Sequence, residues 1–276
     1  LRWAAITATA HGRFDAAADA LDEARQFLKN PPGAMLRESW LKVSLAVLAR
    51  RAGVELLRGN PAAALPPLEE AAAFTGRSPE ENSKTAAQFT PGDRWDLLLA
   101  DALLMAGRTG EARAALERVR AGMFPSDLEK SQEDLLGNAE AARLDALLLL
   151  SENNKNAAAV ACERVLPILE QRANKPEAGI FYSRPYLRLL SAHAAGLEAA
   201  GRPAEALKIH EKAADHARHA VSMAPGHALL AKELQEALLA AARLKKTAGN
   251  KAGAAILEKE AGDLKTTAVT PEWESK

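Results

Sequence analysis

Ala106-Gly107-Arg108-Thr109-Gly110-Glu111-Ala112, followed by Leu116 and Val119, reads as a tight turn between two helices. The same turn recurs at Gly12, Gly59, Gly201 and Gly249, and in weaker form at Asn154, so it returns in steps of 47, 48, 47, 47 and 48 residues. A fixed period in this range is the signature of a repeat array, each unit being one supersecondary element that leans on its neighbours.

Aligned on the turn residue, the units share small residues on both helices. Seven positions before it stand Ala5, Ala52, Ala100, Leu147, Ala194 and Ala242. Five after it stand Ala17, Ala64, Ala112, Ala159, Ala206 and Ala254, and twelve after it Ala24, Ala71, Val119, Leu166, Ala213 and Ala261. A polar residue follows the turn each time: Arg13, Asn60, Arg108, Lys155, Arg202 and Asn250. Leu103, Leu150, Leu197 and Leu244 stand near the ends of the first helices of repeats three to six. Small side chains at fixed places let two backbones approach closely, with leucines filling the space beside them. The fold class expected is all-α, an α-solenoid of about six antiparallel helix pairs.

The repeats occupy about 1–30, 33–76, 78–124, 126–173, 183–223 and 225–265, with an aperiodic tail over 266–276. Twelve principal helices are expected, with a short extra one over 79–88 and no strand, since alanine, the best helix former, makes up roughly a fifth of the chain and β-formers are sparse. Asn60 and Pro61 read as N-cap and first helical residue. Ser126-Asp127-Leu128-Glu129 reads as a capping box. The second helix of repeat four is expected over 156–172, and Pro185 is expected to open the first helix of repeat five. Repeat one has only 11 residues before its turn, so a short first helix is expected. The chain starts at Leu1 without a leader, which reads as a mature form or an excised fragment.

Lys plus Arg and Asp plus Glu number 36 each. No basic stripe stands out, so binding of nucleic acid through its phosphates is not expected. Cys162 is the only cysteine, which excludes an intramolecular disulfide and a cysteine-based metal site. The longest apolar run, Leu144 to Leu150, contains Asp145 and is too short to span a bilayer. No membrane insertion is expected; the chain reads as soluble, cytoplasmic or exported.

His216 and His219 stand three apart on one expected helix with His210 and Asp215, but no third strong ligand is in register. A solvated or inter-repeat face accounts for them. His193 reads as a packed histidine and Cys162 as a small core residue. Glu69-Glu70 and Glu80-Glu81 are adjacent, so their carboxylates point apart. Gly107 and Gly110 follow no strand, so the context for a nucleotide site is missing. Arg50, Arg51 and Arg58, and then Arg243, Lys245 and Lys246, sit near helix C-termini, where positive charge suits the dipole. No enzyme, cofactor or metal site is expected.

The Ala-Gly-Arg turn, the alanine five residues after it and the small residue seven before it resemble the tetratricopeptide repeat family. The resemblance covers all six units and implies a right-handed superhelix. The family period is about 34 residues, so this chain reads as a long-helix variant; another long-helix α-solenoid is the alternative. The family's aromatic positions in the first helix are mostly Leu, Val, Ala or charged here.

The resemblance also implies a groove lined by the first helix of each pair. Its positions fall on Arg94, Leu97, Asp101, Leu104 and Met105 in repeat three, and on Ala141, Leu144 and Leu148 in repeat four. They fall on Arg188, Ser191, Ala195 and Glu198 in repeat five, and on Glu236, Leu239 and Arg243 in repeat six. The expected function is a protein–protein interaction scaffold that holds a peptide or a partner helix there. Leu97, Leu104, Leu144 and Leu148 would form the floor, and Arg94, Asp101, Arg188 and Arg243 the polar grips. The alternative is a regulatory, sensor or dimerisation segment of a larger protein, and a homodimer is compatible with both.

Overall fold

The computed structural model describes residues 1–29, 37–75, 94–123, 131–175 and 179–264. Among them the secondary structure is entirely helical, with no strand: α1 (Arg2–Ala10), α2 (Phe14–Lys29), α3 (Arg37–Leu57), α4 (Pro61–Thr75), α5 (Trp95–Met105), α6 (Thr109–Met123), α7 (Gln132–Ser151), α8 (Lys155–Val160), α9 (Leu166–Ala173), α10 (Gly179–Ala199), α11 (Pro203–Met223), α12 (Ala228–Thr247) and α13 (Lys251–Asp263). The helix expected over 79–88, the capping box at Ser126 and the tail lie outside the described residues. The chain divides into two compact units, Leu1–Leu144 and Asp145–Lys276.

The turns explain the period. Gly107 has φ +74°, a left-handed conformation that glycine adopts without steric cost. Its N–H donates to Leu104 O at 3.0 Å and the Arg108 N–H donates to Leu103 O at 2.8 Å. This is a Schellman cap, which satisfies carbonyls that the helix end leaves open. The same pair of bonds closes α1 at Gly12, α3 at Gly59, α10 at Gly201 and α12 at Gly249. The residue after the turn then starts the second helix: Asn60 Oδ1 accepts from Ala63 N–H at 3.3 Å, and Asn250 Oδ1 from Gly253 N–H at 2.9 Å. At Arg108 and Arg202 the guanidinium instead grips Glu111 and Glu205 with two bonds each, at 2.6–2.7 Å.

Repeat four departs from the expected register by one residue. Its left-handed position is Asn153 (φ 60°), not Asn154, and Asn154 N–H donates to Leu149 O at 2.8 Å. Asparagine tolerates this conformation better than most residues. With Asn153 as origin, the small positions become Ala146 and Ala158, and the third becomes Val165. All three are buried, as are Ala100, Ala112 and Val119 in repeat three and Ala194, Ala206 and Ala213 in repeat five.

Two prolines correct the expected helix bounds. The second helix of repeat four is not continuous over 156–172 but breaks between α8 and α9 at 161–165. Pro167 cannot donate to the Glu163 carbonyl, and its ring crowds that carbonyl. Pro185 does not open α10, which already runs from Gly179 and carries the proline inside it. Tyr182 and Tyr186, one turn apart, are both buried and hold the upstream turns against the core.

Within unit 1, α1–α2, α3–α4 and α5–α6 pack as hairpins, and α2 meets α3 and α4 meets α5. Ala5, Ala17, Leu21, Leu28, Val47 and Val54 form one core cluster, and Ala52, Ala64, Leu68 and Ala102 another. Within unit 2, α10–α11 and α12–α13 pack as hairpins joined by α11 against α12. α8 lies so close to α10 that a Cβ on Gly196 would meet Ala158 O at 2.7 Å.

Candidate interaction surface

Ion pairs spaced about one repeat apart stitch like helices together. Between second helices run Arg25–Glu70, Lys212–Glu170 at 2.7 Å and Arg218–Glu260 at 2.6 Å. Between first helices run Arg143–Asp101 at 2.7 Å, Arg184–Glu233 at 3.4 Å and Arg243–Glu198 at 2.6 Å. Members of the basic clusters noted in the sequence pair within their own helix or with the preceding second helix. Arg51 meets Asp22 and Glu55, Arg58 meets Glu55 and Asp15, and Lys245 meets Glu211.

The structure places the anticipated groove residues in two different environments. In repeats three and four they are mostly core. Leu97, Leu144 and Leu148 are buried, and Leu104 is half-buried. Arg94 is buried and clamps Asp96 through Nε at 2.9 Å and Nη2 at 2.5 Å. Asp101 and Arg143 are buried together, with side chains 8% and 9% exposed. Burial opposes the Arg143 charge, but Glu140 and Asp101 outweigh it and raise the guanidinium pKa. Counted from Asn153, the offsets of Leu144 and Leu148 move to Arg143, which is also buried, and Leu147, which is half-buried.

Repeats five and six are more open at the same offsets. Ser191 on α10 and Glu236, Leu239 and Arg243 on α12 are exposed, and Ala195 is half-buried. Leu239 is 45% exposed. The Arg243 side chain is 60% exposed while its Nη2 donates to Glu198 Oε2. Arg188 is half-buried near Glu233, whose carboxyl is pushed up by burial against the downward pull of Arg184 and Arg188. The two first helices, α10 and α12, pack side by side, so these residues share one face.

The sequence reading placed Glu198 in the groove but missed its partner, His210. Glu198 Oε1 lies 3.2 Å from His210 Nε2, so one carboxylate joins α10, α11 and α12. The readable signal was that His210 occupies the register of Leu21, Leu68 and Leu116, nine residues past the left-handed position. Of the other histidines, His193 is buried, His216 is half-buried and His219 is exposed. His216 Nε2 lies 3.2 Å from Ser183 Oγ and its ring meets Tyr186 edge-on at 5.0 Å. Among the described residues no group of three His, Cys, Asp or Glu side chains could hold a metal ion, and no helix is long and apolar enough to cross a membrane. Set against known proteins, the chain matches no family model and no curated protein.

Proposed function

We propose that this chain is a non-catalytic protein-interaction module of the tetratricopeptide-like α-solenoid kind, which binds a peptide or partner helix on the face formed by α10 and α12. The observation that carries the reading is Leu239, a large apolar side chain left half in water, with Arg243 and Glu236 beside it on the same helix face. An apolar anchor flanked by charges suits an extended peptide or an amphipathic helix. The small residues Ser191 and Ala195 on the neighbouring helix leave room for a backbone to lie between.

The test is selection of peptides from a displayed library on the whole chain, followed by binding to the Leu239→Glu variant, with its helicity checked by circular dichroism. The reading expects enriched peptides whose binding to the folded variant is lost. It fails if no peptide enriches, or if binding survives the substitution. Trp3, 79% exposed on α1, favours the second reading, a dimerisation segment. Sedimentation of the wild-type chain and Trp3→Ser separates the two: a dimer dissolved by that substitution supports it.

A further inference from the structure

His210 stands where repeats one to three bury Leu21, Leu68 and Leu116, while repeats four and six carry Cys162 and Glu258; a titratable ring buried at this position is a place where function can compete with packing. The side chain is buried, and two charged groups face it from the helices packed against α11: Glu198 from α10 and Arg243 from α12. The neighbouring pair on the α11–α12 boundary, Glu211–Lys245 at 2.6 Å, is closed on itself. An ionised carboxylate only accepts, so the His210 nitrogen facing Glu198 carries the proton in the neutral ring. Glu198 thus accepts from His210 on one oxygen and from Arg243 on the other.

We propose that Glu198 couples His210 to Arg243, and that the second cation created by protonating His210 loosens the hold of Glu198 on the Arg243 guanidinium and releases it onto the face of α10 and α12. With neutral His210 the cluster holds one anion and one cation. With charged His210 it holds two cations around one carboxylate. The imidazolium is largely buried, so it keeps Glu198. Arg243 is largely exposed, and an exposed pair of this kind is weak enough to open readily. The freed guanidinium then offers a bidentate seat for a carboxylate of a bound peptide, one of whose donors, Nη2, is held by Glu198 when His210 is neutral. Burial sets the His210 titration below the ordinary 6.5, so the exchange belongs to mildly acidic conditions. Use of the seat by a partner rests on the proposed function above; the exchange itself does not.

The experiment follows the Arg243 Nε–H signal and the His210 ring nitrogens by NMR in the labelled full chain between about pH 8 and 5. The expected result is a shift at Arg243 whose midpoint coincides with that of His210. His210→Gln should abolish it, and Glu198→Gln should show the released signal at every pH. An Arg243 signal that stays constant while His210 titrates overturns the proposal, as does the same transition in folded His210→Gln. The wild-type coincidence of midpoints decides the matter if a variant does not fold. No partner is present, so a failure here is distinct from a failure to bind peptide.

Discussion

The Arg143–Asp101 and Arg243–Glu198 pairs are the same device in two settings. Each joins a first helix to the next first helix, one repeat on, across 2.6–2.7 Å. In unit 1 the pair is sealed, both side chains less than a tenth exposed; in unit 2 Arg243 stands mostly in water. The contrast separates structural from available charge. A sealed pair has had its hydration removed and is held by its surroundings, so neither partner can leave. An open pair contributes little to stability and can exchange partners. The two pairs also stand at different offsets: Asp101 and Arg143 lie six and ten residues before their turns, Glu198 and Arg243 three and six, so the open pair sits nearer the helix ends.

Arg143→Ala should break the comparison most sharply, because it leaves Asp101 buried without its arginine. A loss of about 3–5 kcal/mol is expected on chemical unfolding. Arg243→Ala should cost about 0–1 kcal/mol in the same measurement. Equal losses for the two variants would remove the distinction between the sites. Next in size is Gly196→Ala, which forces a Cβ against the Ala158 carbonyl where α8 crosses α10. Overpacking of this kind should cost about 1–3 kcal/mol, and a neutral result would mean that the two helices separate easily.

Acidification should weaken unit 2. Burial holds His193, His210 and His216 below the ordinary histidine range of 6.5. The unfolded chain therefore binds more protons below that pH, and stability present above about 6.5 is lost as pH falls through it. Amide exchange, corrected for its intrinsic pH dependence, should show protection falling in α10 and α11 while α2 and α3 keep theirs. Equal losses in all four helices would contradict this. The smallest effect belongs to Leu239→Glu, an exposed position where a stability change within about 0.5 kcal/mol is expected. A larger loss would mean that Leu239 serves the core instead of a partner.

Five of the six turns were legible because glycine at a left-handed position is a local requirement, written in the sequence where it acts. The sixth was misplaced because Asn153 and Asn154 are adjacent and of the same type, and only the hydrogen bonds tell which one carries the positive φ. That single step moved Leu144 and Leu148 into the groove and hid Arg143. The helix break was readable at Pro167, whose effect falls several residues upstream. Pro185 points the other way, since burial of Tyr182 and Tyr186 overrides the preference of proline for a helix start. The Glu198–His210 contact joins two helices of one hairpin, and its trace in the sequence is a histidine where repeats one to three carry leucine.

The central claim is that the open face of unit 2 receives the partner. Chemical-shift mapping of a library-selected peptide on the labelled full chain tests it most directly. The account predicts that the largest perturbations fall on Ser191, Ala195, Leu239 and Arg243. Perturbations centred on Trp3 and Phe27, with these four unchanged, would contradict it.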